Sequence, residues 1–135
     1  MKLLLIGTQE SAAKAENYYD SYIETFMKAI DESGVHGTID FTFLDDLALA
    51  AGDGTITATD TVSGNPLSVY DAIFIRGLGL RNRFDELKLV SVYARRNGIK
   101  LINDYSDFRD SSKLGQAVTF YDIDLPVANS LFINR

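Results

Sequence analysis

Tyr70-Asp71-Ala72-Ile73-Phe74-Ile75-Arg76-Gly77 is the stretch on which the fold turns. Four consecutive apolar residues without polar alternation predict a strand buried on both faces, as in a parallel sheet covered on either side. The run stops at a cation and a glycine, and a Gly/Arg/Asn loop follows from Leu78 to Arg83. Binding groups gather on loops that a rigid strand positions, so Arg76 and Gly77 are the first site candidates.

Upstream, Leu3 to Ile6 is a second apolar run, closed by Gly7, and reads as the central strand. From Ser11 the period changes: Ala15, Tyr19, Ile23, Phe26 and Ile30 form one apolar stripe, predicting a single helix that Ser33-Gly34 stops. Tyr18, Tyr19 and Tyr22 wrap its buried face, which suits core or interface packing and leaves a homodimer open. Thr38 to Leu44 alternates and predicts a strand, Asp45 to Ala51 a short helical turn, and residues 52–69 a β-hairpin or an irregular excursion.

Downstream, Phe84, Leu87, Val90 and Ala94 predict a helix ended by Asn97-Gly98, and Ile99 to Ile102 a short strand finishing at Asn103. Ser111 to Asp122 predicts a further helix, with Leu114, Ala117, Val118 and Tyr121 on one side, and Asn129 to Ile133 starts another strand. A strand followed by only two residues carries the expectation of a chain cut off from a longer protein. The alternation predicts an α/β fold: a three-layer, Rossmann-like domain with a mainly parallel sheet of about four strands and ligands at their carboxyl ends.

With 135 residues, 46% of them hydrophobic and 24% charged, the chain suits one compact domain. It has no cysteine, which excludes disulfides and thiolate chemistry. The net charge is −6 and the 13 lysines and arginines are scattered, so no basic stripe offers itself to nucleic acid. The apolar run at Leu3 is too short for a signal peptide or a membrane span, so the expectation is a soluble cytoplasmic protein with no membrane partner. His36, the one histidine, reads as a solvent-facing loop residue. Gly77-Leu78-Gly79 lacks the dinucleotide fingerprint. Gly7-Thr8-Gln9-Glu10-Ser11 partly matches a flavodoxin phosphate loop and offers a single carboxylate where a receiver domain has an acidic cluster, so a stand-alone flavodoxin-like or receiver-like ligand-binding module is the alternative reading.

Two stretches, Tyr70 to Gly77 and Asn97 to Phe132, together resemble the ATP-grasp ligases of the glutathione synthetase and ribosomal-protein glutamate ligase branch. The shared order is a strand ending in Arg, a helix, a strand ending in Asn as in Gly98-Ile99-Lys100-Leu101-Ile102-Asn103, then Ser112-Lys113-Leu114 and Asp122-Ile123-Asp124-Leu125-Pro126-Val127. Ser112 stands where the family has Asp, with Asp110 close by. The resemblance implies that residues 1–126 form the pre-ATP-grasp domain and 127–135 begin the ATP-grasp domain. It implies an ATP-dependent carboxylate–amine ligase that passes through an acylphosphate, with an amino-acid or peptide carboxylate and an amine acceptor as substrates. Arg76, Gly77 and Asn103 would then face substrate and Lys113 the nucleotide. ATP and Mg²⁺ would serve the full-length protein, with none bound tightly by this stretch and the chemistry incomplete within it.

Overall fold

The computed structural model describes residues 1–104 apart from Glu16 and Asp53; the helix expected at Ser111–Asp122, with Lys113, and the strand expected at Asn129–Ile133 lie outside the described residues. In chain order the elements are β1 (Lys2–Gly7), α1 (Gln9–Lys14), α2 (Asp20–Glu32), β2 (Thr38–Phe43), β3 (Leu47–Gly52), β4 (Thr55–Asp60), β5 (Ala72–Ile75), α3 (Phe84–Arg96) and β6 (Lys100–Ile102). The fold is α/β: a four-stranded parallel sheet in the order β2-β1-β5-β6, and a separate two-stranded antiparallel sheet of β3 and β4.

The predicted central strand is central. Leu3 aligns with Ile39 on one side and Ala72 on the other, and Leu3 to Gly7 are all buried. Alternate residues feed two separate clusters. Leu4, Ile6, Ile73 and Ile75 pack with Leu87, Val90, Tyr93 and Ala94 of α3 and with Ala58 and Leu67. Leu3, Leu5, Ala72 and Phe74 pack with Tyr19 and with Tyr22, Ile23 and Phe26 of α2. Each fully buried Leu or Ile side chain contributes about 1.5–3 kcal/mol by leaving water, which makes this sheet the main source of stability.

The single helix expected from Ser11 is two helices. Thr8 caps α1, accepting the Ser11 amide at its hydroxyl, and Ala15 leaves the helix in an extended conformation (φ −151°, ψ 122°) before α2 begins at Asp20. The break lays the Tyr19 ring against Gly7, where any side chain would overlap it, and sends the hydroxyl to the ends of β1 and β5. The stop is where expected: α2 ends at Glu32, and Gly34 takes φ 70°, which favours glycine.

The helical turn expected at Asp45–Ala51 is confined to a 3₁₀ turn at Leu44–Asp46, after which the chain is strand. Leu-Ala-Leu-Ala has a good intrinsic helix propensity, but period two wins: Leu47 and Leu49 pack against the α3 cluster while Ala48 and Ala50 face solvent. The hairpin thus starts at Leu47, earlier than residues 52–69, and its last pair before the turn is Gly52 with Thr55. Its far end is fastened by Asp60, only 4% exposed, which accepts from the Thr42 hydroxyl (3.0 Å), the Ser63 hydroxyl (2.6 Å) and the amides of Val62 and Ser63. Burial pushes this carboxyl up, but the bonds from Ser63, Val62 and Thr42 outweigh it and hold the pKa below its ordinary value.

Candidate functional site

From β1 the chain crosses by α1 and α2 to β2 on one side, then returns to β5 on the other. This reversal makes the carboxyl ends of β1 and β5, at Gly7-Thr8 and Arg76-Gly77, the place where an open α/β sheet receives a ligand.

The two loops there are sewn together. The Tyr19 hydroxyl accepts the Thr8 amide at 2.6 Å and lies 3.0 Å from the Arg76 carbonyl, to which it can donate. The Leu78 amide donates to the Ser11 hydroxyl at 2.7 Å, and Ser11 is fully buried. A Cβ on Gly77 would overlap the Thr8 hydroxyl, and one on Gly79, at φ 71°, would overlap the Glu10 carboxylate. Thr8 and Ser11 hydrogen-bond each other and the local backbone, so the hydroxyls that a flavodoxin-like loop would offer to phosphate are already engaged.

Arg76 stands outside this seam with its side chain exposed. Its Nε donates to the Tyr22 hydroxyl at 3.1 Å, and the guanidinium carbon lies 5.5 Å from the Tyr22 ring centre. The bond to Tyr22 raises its pKa further, against an opposing push from burial, so the cation is permanent. The surface pairing with Asp71, Asp85 or Glu86 that would make Arg76 merely structural is absent from the ion pairs of the described residues. Glu86 is held by Arg83 at 2.7 Å, and Asp71 accepts the Lys2 amide at 2.7 Å. Among the described residues Arg76 forms no ion pair. The guanidinium is steadied by the hydroxyls of Tyr22 and Tyr18 and carries no carboxylate among the described residues, so its planar fork can still turn an edge toward a carboxylate or phosphate.

Gly77 is the contact point of the seam, and Asn103 joins the same sheet edge, its side-chain amide donating to the Ile75 carbonyl at 3.2 Å. Asn103 takes φ 60°, a left-handed turn position that asparagine tolerates, so its side chain fastens the end of β6 to β5. Its neighbour Asp104 accepts from the Ser91 hydroxyl at 2.7 Å and pairs with Arg95 at 3.6 Å. Three of the four sequence candidates thus meet at the ends of β5 and β6, and Lys113 lies outside the described residues. Sequence reading missed Tyr19 and Tyr22 as site residues: their spacing marked them as packing, and the hydroxyl roles depend on the helix break at Ala15. His36 is exposed, as expected.

Two open clefts lie at the opposite, amino edge of the sheet. One is a shallow apolar groove of about 230 Å³ lined by Leu3, Phe26, Ile30, Ala72 and Ile102; the other borders Lys2, His36 and Asp71. Neither of these two contains a convergent polar set like that at Arg76. Among the described residues no group of three or more His, Cys, Asp or Glu gathers to hold a metal ion, and no helix is long and apolar enough to cross a membrane. Compared with protein-family models, with curated proteins and with solved structures, the chain matches none.

Proposed function

We propose that this chain is a three-layer Rossmann-like domain of the pre-ATP-grasp kind, the substrate-side wall of a cytoplasmic ATP-dependent carboxylate–amine ligase. The observation that carries the reading is the Arg76 guanidinium, without an ion pair among the described residues, at the reversal point between β1 and β5. That is where an α/β sheet places ligands, and a bidentate cation there suits a substrate carboxylate. The motif order from Tyr70 to Phe132 supplies the ligase part of the proposal, and the fold alone supports only ligand binding.

Among the described residues no group of three or more His, Cys, Asp or Glu gathers, so no metal ligand is assigned to them and no step is routed through metal or nucleotide. Their own contribution is to hold a carboxylate at Arg76 while the Tyr19 seam keeps the loop rigid. Electrostatic positioning of this sort is the main protein contribution to acyl and phosphoryl transfer. Lys113 keeps its proposed part as the nucleotide contact.

Amide NMR of residues 1–135 titrated with L-glutamate, and separately with Mg·ATP, tests the reading. Saturable shifts at Arg76, Gly77 and Thr8 are expected with glutamate, lost in Arg76→Ala, whose stability stays within about 0.5 kcal/mol of the parent because the residue is exposed. Mg·ATP is expected to bind too weakly to saturate. Tight ATP binding by this chain, or glutamate shifts that bypass Arg76, would overturn the proposal.

A further inference from the structure

We propose that β3 is an interaction edge through which two copies of this chain pair, antiparallel and about a two-fold axis at Ala50. In its sheet β3 bonds to β4 on one side only. The pairs Gly52↔Thr55, Ala50↔Thr57 and Ala48↔Thr59 continue into a bond from the Thr61 amide to the Asp46 carbonyl at 2.9 Å. A two-residue turn closes on a hydrogen-bonded pair, so the even-numbered residues of β3 use their backbone groups on β4. The N–H and C=O of Leu49 and Ala51 therefore point away from β4, and among the described residues they meet no partner. The Leu47 amide is already taken by the Leu44 carbonyl.

Soluble proteins protect such edges with lysine, proline, a bulge or an inward charge. The outer edge of the main sheet has one of these: β2 carries Asp40 at its middle, paired with Lys2 at 3.1 Å and accepting from Tyr70 at 2.9 Å. Leu47-Ala48-Leu49-Ala50-Ala51-Gly52 has no charge, no proline and an unbroken ladder. Ala48 and Ala50 are exposed and small, so another strand can approach without a side-chain barrier.

A second copy is an occupant whose own edge matches the outward groups of Leu49 and Ala51. With the axis at Ala50, Leu49 faces the partner's Ala51 and Ala51 the partner's Leu49, as two hydrogen-bonded pairs flanking Ala50. The N–H and C=O groups of Leu49 and Ala51 on both copies then all find partners. Moving the axis to Leu49 would need the Leu47 amide, which is occupied, and a one-residue slip would call on even-numbered groups already bonded to β4. A six-residue edge buries far less than a standard interface, so the dimer is weak and concentration-dependent.

Sedimentation velocity of residues 1–135 across a concentration series, with amide hydrogen exchange, tests this. The expected result is a reversible dimer in which exchange at Leu49 and Ala51 slows with concentration, while Ala48 and Ala50 are protected throughout. Ala50→Lys sets two ammonium groups against each other at the axis and leaves the hairpin's own bonds intact; it should raise the dissociation constant about fivefold with an unchanged circular dichroism spectrum. Ala51→Pro removes an outward donor without touching the β3–β4 ladder, and should weaken pairing as well. A monomer up to millimolar concentration, exchange at Leu49 and Ala51 that ignores concentration, or a dimer that both variants leave intact would overturn the proposal.

Discussion

β1 and β3 are both six-residue strands rich in leucine, and they are opposites in how they are held. β1 is flanked by parallel neighbours and buried from Leu3 to Gly7, whereas β3 has one neighbour in its sheet and only half-buries Leu47 and Leu49. The difference shows that leucine content does not set a strand's contribution. What matters is whether the alternate residues also find a covering element, and for β3 they are alanines left in water. The stable part of the domain is therefore the part that presents Arg76, and the hairpin is an accessory fastened to it.

The largest effect should come from truncating the two strands' environments in parallel. Ile73→Ala, opposite Leu4 in a fully buried register, should cost about 2–5 kcal/mol, and Leu49→Ala in the half-exposed hairpin about 1 kcal/mol, measured by denaturant unfolding. Equal costs would break the comparison. Next, Tyr19→Phe keeps the ring and deletes the hydroxyl that accepts the buried Thr8 amide, which should cost about 1–3 kcal/mol and speed exchange at Thr8 and Leu78. A neutral result would show that the seam rests on shape alone.

The smallest expected effect concerns how the hairpin is fastened. Asp60 has a folded pKa below its ordinary value, so its stabilising contribution is present above the unfolded carboxylate value, about 3.9, and is lost as pH falls through the folded one. Stability should decline on that acid limb, and Asp60→Asn should flatten it. An unchanged acid limb in the variant would remove Asp60 as the fastener.

The parallel strands were legible because continuous apolar runs such as Leu3–Ile6 and Ala72–Ile75 have few other uses in a small α/β domain. The position of Arg76 and Gly77 just past β5 was legible because they end such a run. The hairpin was read as helix over Asp45–Ala51 because alanine disguises a period of two: Ala48 and Ala50 are apolar by type but lie where polar residues would normally mark the solvent side. The helix break at Ala15 was hidden for a similar reason, since the apolar stripe carries on across it and only the hydroxyl bonds of Tyr19 reveal why the chain turns. Asn103 was placed at the right edge, though its side chain is committed to the Ile75 carbonyl.

The seam of Thr8, Ser11, Tyr19 and Gly77 has a kinetic consequence. Loops cross-linked at this density leave little room for a hinge between them, so under the function proposed above an anion should reach Arg76 in a one-step encounter, with a rate set by diffusion and ionic strength and no slow closing phase behind it.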